Sequence, residues 1–279
     1  MALPKEFLTD FNQDGKLIGK PKAGVCGIYD ATEKQYFPIG TTLELHGRVW
    51  KYCRAAEEIT LPHRGSPNLV YYPWVATSLY SMKGQETNER HVTDAGEKKM
   101  TVEFIDAYPV DASPYAATKK NFFAGGYANI FFDSSLIATM RITGSDVPVT
   151  DADTGTNSDM VIYFDDPLPT EIVAASHVDV YPSPYMCVGA SGSGNGWSSF
   201  VVVPPIAVTA DYFFWGQVKG PCWVTPTAGV TSTLLRDLCF HTDGTVQAMT
   251  DAAPSRQRAG YIIYKGDNSQ DDATIMLDI

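Results

Sequence analysis

The sequence predicts an all-β protein, an antiparallel β-sandwich or barrel with an extended N-terminal arm and at most one or two short helices. Three observations predict it. Short runs rich in Val, Thr, Tyr and Phe recur roughly every 8 to 12 residues, the strand spacing of sandwiches and barrels. The 23 glycines and 18 prolines fall largely between these runs, as turn residues do. No segment alternates strand with helix in the manner of a parallel sheet. The densest aromatic run, T-A-D-Y-F-F-W-G-Q-V-K-G-P-C-W-V-T-P, carries Tyr212, Phe213, Phe214, Trp215 and Trp223. It reads as two strands, 212–218 and 222–225, joined by a tight Lys219-Gly220-Pro221 turn. Rings of this size bury large areas, which places the run at the centre of the core.

Taken in order, residues 1–38 have little periodicity and form the expected arm, with a short strand at 24–29. Residues 39–279 form a β-rich domain, divisible into two packed β subdomains near 110–120. Apolar residues at Leu43, Leu45, Val49 and Tyr52 around His46-Gly47 are a hairpin signature. Residues 57–68 are polar and loop-like, and Pro73 bars 70–79 from a central strand. The charged run 83–99 reads as an exposed loop, followed by a half-buried strand at 99–107 and a loop at 111–120. Strands follow at 122–132 and 139–143, separated by a turn at Asp133-Ser134-Ser135. After a polar loop at 146–159 come a strand at 160–164 and a short helix at 167–176, with Pro167 at its start. Short strands at 178–181, 185–188, 200–203 and 206–208 flank the low-complexity loop 190–199. Strands at 234–240, 245–249, 260–264 and 274–279 finish the chain, with a turn at Thr242-Asp243-Gly244.

Composition narrows function. With 44% hydrophobic and 19% charged residues, the 279-residue chain can bury a substantial core. A net charge of −11 opposes an electrostatic grip on nucleic acid or anionic lipid, so neither is an expected partner. Cys26, Cys53, Cys187, Cys222 and Cys239 are odd in number and scattered. That pattern is neither a disulfide framework nor a zinc site. The opening M-A-L-P-K-E-F-L-T-D lacks the apolar core of a signal peptide, and synthesis in a cytoplasm is expected.

No constellation carries chemistry strongly. D-F-N-Q-D-G at 10–15 matches the first half of a calcium loop, but Pro21 stands where a bidentate Glu is required. An Asx-type turn is the simpler reading. Asp151, Asp153, Asn157 and Asp159 offer oxygen ligands in a loop whose glycine is misplaced for an EF-hand. Cys222, His241 and Asp243 suggest a Cys-His-Asp triad, yet Cys222 lies in an aromatic setting that suits an inert buried thiol. His46, His63, His91 and His177 are too scattered to ligate a metal. The carboxylate pairs Glu103 with Asp106 and Glu57 with Glu58 are the kind a glycosidase uses, but acids are abundant here. Neither catalysis, nor a metal, nor a cofactor is expected.

Several blocks resemble a known family. F-P-I-G-T-T-L-E-L-H-G-R-V-W-K-Y-C-R-A resembles an "IGT…GR-x-(F/Y)-(R/K)-Y" opening, with departures at Trp50 and Cys53. D-D-P-L-P-T-E-I-V-A-A-S-H-V-D-V-Y-P-S-P-Y-M-C-V resembles a "dPL…V-x-L…Y…V" block. V-T-A-D-Y-F-F-W-G-Q-V-K-G-P-C-W-V, followed by D-G-T-V and R-A-G-Y-I-I, resembles a "tAgyYgWvQ-x-x-G" block. In this order, from Phe37 to the C-terminus, they are similar to virion structural proteins of tailed bacteriophages. The resemblance implies a capsid decoration, cement or minor capsid protein of the virion that binds the major capsid protein, copies of itself, or both. A homo-oligomer is implied, and a trimer suits three-fold lattice positions. The candidate interface residues are Leu8 and Phe11 on the arm, Tyr71, Tyr72 and Trp74 in the Pro-broken run, and Trp197 in its glycine loop. The alternative is a sugar-recognising receptor-binding tail protein, with Trp74 and Trp197 as stacking platforms.

Overall fold

The computed structural model describes residues 17–18, 26–69, 82–86, 93–104, 120–131, 137–147, 149–150, 158–172, 177–192, 199–227, 230, 236–250, 256–265 and 273–279. Two compact units divide the chain: Met1–Leu69 with Tyr185–Ile279, and the inserted Val70–Pro184. The chain thus passes between units twice, whereas the sequence suggested one boundary near 110–120. Among the described residues the fold is all-β with antiparallel pairing, apart from one two-residue parallel strand pair and two isolated parallel bridges, Ala55 with Val188 and Pro226 with Val246.

The first unit opens with β1 (Leu17–Ile18), β2 (Ala31–Thr32), β3 (Thr42–Leu45), β4 (Arg48–Arg54) and β5 (Ser66–Pro67). The β3–β4 hairpin forms as its sequence predicts. His46 and Gly47 both take positive φ, at 52° and 72°, as the two-residue turn matching strand twist requires. The described part of the expected strand at 24–29, residues 26–29, is instead a turn, in which Asp30 accepts the Gly27 N–H through its carboxylate.

The inserted unit holds β6 (Met82–Glu86), β7 (Lys99–Phe104), β8 (Tyr127–Phe131), β9 (Ile137–Ser145), β10 (Val149–Thr150), β11 (Ser158–Phe164) and β12 (His177–Tyr181). These form one sheet in the order β10-β11-β9-β8-β12-β6, with β7 also on β11. Its buried face takes alternate residues, including Val102, Ile130, Ile142, Met160, Ile162 and Val178. Four expectations change here: residues 122–125 of the strand expected at 122–132 are a turn, and Val149–Thr150 of the expected polar loop pair as β10 with β11. Part of the charged 83–99 run is β6, held by pairing with β12. The short helix over 167–176 is not formed in its described part, 167–172, where Ile172 exchanges two backbone hydrogen bonds with Thr93.

The chain returns with β13 (Phe200–Val202), β14 (Phe213–Trp223), β15 (Asp237–Phe240), β16 (Val246–Ala248), β17 (Arg258–Lys265) and β18 (Ala273–Asp278). The first unit's large sheet runs β1-β3-β4-β14-β18-β17-β15-β16, with β2 added on β14. It does not close into a barrel. A smaller sheet pairs β13 with β5, and the layered packing is that of a β-sandwich.

The aromatic run is the centre of this sheet, but it is one strand and not a hairpin. β14 continues through Lys219-Gly220-Pro221 because it changes neighbours there. β4 pairs with it up to Lys219, and β18 pairs from Lys219 onward. Pro221, which lacks an N–H, stands beyond the end of β4, where a ladder donor is not needed. Buried Gln217 braces this stretch, its Nε2 donating to the carbonyls of Lys219, Gly220 and Pro221 at 3.1, 3.3 and 2.9 Å.

Both faces of β14 near its start are covered. On one, Trp215 and Tyr52 pack with Phe37, ring centroids 5.1 to 5.3 Å apart. Trp215 Nε1 donates to the Cys26 carbonyl, so residues 26–38 of the expected arm are partly a lid on this cluster. On the other, Phe214 and Cys53 join Val188, Val202 and Val208. Farther along, Cys222, Val224, Leu238, Phe240, Val246, Ile275 and Leu277 make a third cluster.

Candidate functional site

The six interface residues expected from the sequence, Leu8, Phe11, Tyr71, Tyr72, Trp74 and Trp197, lie outside the described residues, as do 10–15, Asp151, Asp153, Asn157, His91 and Asp106. Among the described residues no group of three or more His, Cys, Asp or Glu is placed to hold a metal ion. Glu57 accepts a hydrogen bond from the Ala190 N–H at 2.8 Å, which ties a loop and leaves Glu58 exposed.

The Cys222-His241-Asp243 constellation separates into two parts. Cys222 belongs to the apolar cluster with Val224 and Ile275, and burial pushes its thiol up to about 12. A nucleophilic cysteine needs the opposite, an electropositive and accessible setting. His241 and Asp243 instead build a turn: His241 Nδ1 lies 3.0 Å from Asp243 Oδ1, and Thr245 donates to the same oxygen from N–H and hydroxyl. Arg64 approaches Asp243 Oδ2 at 3.5 Å. The Gly65 N–H donates to Gly244 O, and a Cβ on Gly244 would come within 2.2 Å of Gly65 O. The cluster docks one loop on another.

A different surface stands out. Opposite the third cluster, the outer side of β14, β18 and β17 is set by register. Trp223, Thr274 and Tyr264 form one cross-strand row, and Pro221, Met276 and Tyr261 the next. A row of this kind spans two strand spacings, roughly 10 Å. Trp223 is 37% exposed, Tyr261 43% and Tyr264 70%. The inner residues of the same strands, Cys222, Ile275 and Leu277, are buried. A bulge between Ile262 and Tyr264 lets Tyr261 and Tyr264 share a face although three positions apart.

Charges frame the rings. Lys219 Nζ lies 3.7 Å from Asp278 Oδ1, and Arg258 Nη2 lies 3.0 Å from Asp237 Oδ1. His63, with φ at 60°, meets Trp223 edge-on at 5.0 Å, and its burial lowers its pKa from the ordinary 6.5. Such an exposed aromatic surface with polar borders suits contact with another surface better than chemistry on a small molecule. The sequence reading found the three strands but not this face. Its usable signal was the alternation of 219, 221 and 223; the bulge hid the rest.

Three comparisons with known proteins bear on this surface only by their outcome: the chain matches no family model, no curated protein and no solved structure.

Proposed function

We propose that this chain is a structural subunit of a phage particle, a capsid decoration, cement or minor capsid protein that stabilises the particle by binding the major capsid lattice. It acts by surface contact and not by turnover. The observation that carries this reading is the outer face of β14, β18 and β17, where three large rings stand exposed on a rigid sheet. Exposed aromatic residues in one patch are typical of protein interfaces. The sequence resemblance to virion structural proteins supports the same reading. Repeated weak contacts on a lattice add by multivalency, so a modest patch per copy is sufficient.

The test is direct. Shells assembled from the major capsid protein of the same virus are incubated with the purified chain, pelleted, and examined for bound copies and rupture temperature. Saturable binding at a fixed copy number with a raised rupture temperature is expected. A chain that stays in the supernatant, absent from purified particles, removes the reading. The alternative role in sugar recognition rests on Trp74 and Trp197, and a glycan-binding assay on their alanine variants decides it.

A further inference from the structure

We propose that the edge of β3 is a strand-acceptor site for the N-terminal segment of a second copy of this chain, which pairs there as β1 does. The inference goes beyond the lattice contact above, since it concerns contact between copies and a different part of the molecule.

The edge itself is the first argument. Among the described residues, β1 pairs with the outer side of β3 in parallel, Leu17 opposite Leu43 and Ile18 opposite Glu44. The β3–β4 register fixes which backbone groups look outward. The Tyr52 N–H donates to the Thr41 carbonyl, and Leu43 and Leu45 stand opposite Trp50 and Arg48. Alternation along the ladder then turns the backbone groups of Thr42 and Glu44 away from β4. In a parallel pair the residue opposite Leu43 bonds to both, and that residue is Leu17. These are main-chain bonds, the same for the segment of any copy. Adding an extended segment to a sheet edge is a recurrent mode of recognition.

Reach is the second argument. Cys26 is buried, and its carbonyl accepts Trp215 Nε1 from β14. The order β1-β3-β4-β14 sets β1 three strand spacings from β14, about 15 Å. Residues 19–25 between Ile18 and Cys26 have a reach of about 26 Å. The segment is therefore longer than its own β3 requires. Each hydrogen bond of the short pair is worth only about 1 kcal/mol net, and exchange restores the same bonds on the neighbour. Swapping an identical element between copies is a low-cost route to association, and it strengthens where copies are held close together.

Charge is the third argument. Residues 15–25 carry Lys16, Lys20 and Lys22 and no acid, whereas the whole chain carries −11. A basic segment is drawn to the acidic body of another copy. Glu44, the residue opposite Ile18, is exposed. An unrelated partner would have to supply a segment of the same charge and register, and a second copy already carries one.

The experiment is disulfide trapping between full-length chains. Ile18→Cys and Glu44→Cys are made as separate proteins, mixed in equal amounts at high concentration and exposed to oxidised glutathione. The five native thiols are buried and stay out of the reaction. Residues directly opposite on paired strands lie within disulfide reach. A cross-linked heterodimer should form, mapped by mass spectrometry to positions 18 and 44. Its yield should exceed by about tenfold that of Ile18→Cys mixed with Glu58→Cys, an exposed site away from β3, and should fall on dilution. Leu17→Pro, which takes an N–H out of the pair, should abolish the link when added to Ile18→Cys without changing the melting temperature. A mixture that links no better than the Glu58→Cys control overturns the proposal, as does a yield that Leu17→Pro leaves unchanged. So does a chain carrying both cysteines that always closes on itself while the mixture stays unlinked, because the segment is then confined to its own β3. No capsid shell enters these assays, so the shell-pelleting test succeeds or fails separately.

Discussion

Gln217 shows how one side chain settles what a strand does. It is buried, and its amide serves the carbonyls of Lys219, Gly220 and Pro221 where β4 ends and β18 begins. Gln217→Leu keeps much of the volume but leaves those acceptors without a donor in a water-poor place, a loss of about 1–3 kcal/mol. Urea unfolding should show a lower midpoint with the slope unchanged. A midpoint equal to wild type would mean that the carbonyls find water instead. The five thiols carry a second residue-level expectation, since all are buried and free. Burial pushes Cys26 up to about 11 and Cys187 and Cys222 up to about 12, and drives Cys53 higher still. At pH 8 hardly any thiolate exists at these positions, so a disulfide reagent should label the native protein very slowly and all five groups after unfolding. Fast labelling of even one native thiol would contradict the burial.

At the scale of elements, β14 is where sequence and structure part company in an instructive way. Its position at the centre of the core was legible, because Phe214 and Trp215 announce buried area. Its continuity was not. Lys219-Gly220-Pro221 is turn chemistry locally, and only the exchange of β4 for β18 makes it strand, a fact held by residues far away in the chain. The His46-Gly47 and Thr242-Asp243-Gly244 turns were legible because nothing distant competes with them. The exposed face escaped notice for the reason given by Tyr261 and Tyr264, whose common side depends on a bulge that breaks period two. Gly216 illustrates a packing demand of the same strand. A Cβ there would lie 2.5 Å from Val202 Cβ, so the β13 segment crosses β14 too closely for any side chain. Gly216→Ala should therefore destabilise by about 1–3 kcal/mol through overpacking. Val202→Ala should restore part of that loss in the double variant, a coupling that denaturant melts of the four proteins measure. Strict additivity would show that the two positions do not press on each other.

For the molecule as a whole, the inserted Val70–Pro184 unit was the least legible feature, since only Pro182 and Pro184 mark its end and no low-complexity linker marks its start. Its existence follows from pairings such as Arg54 N–H with the Tyr185 carbonyl, which bring the two flanking segments together. The same region of the first unit sets the response to acid. Asp243 is partly desolvated, which raises its pKa, yet hydrogen bonds from Thr245 and the neighbouring His241 outweigh this and hold it below the ordinary carboxylate value of 3.8. Burial lowers His63 below 6.5. For both groups the unfolded chain binds a proton more readily than the folded one, so both make stability fall as pH falls. The windows differ. His63 acts from about pH 6.5 downward, until its folded form is also protonated. Asp243 acts below about pH 3.8, as its turn loses the carboxylate that Thr245, His241 and Arg64 share. Melting temperature against pH should therefore decline in two stages. His63→Asn, which tolerates the positive φ of that position, should flatten the upper stage, and Asp243→Asn the lower one. A His63→Asn protein whose upper stage is unchanged would assign that stage to another group.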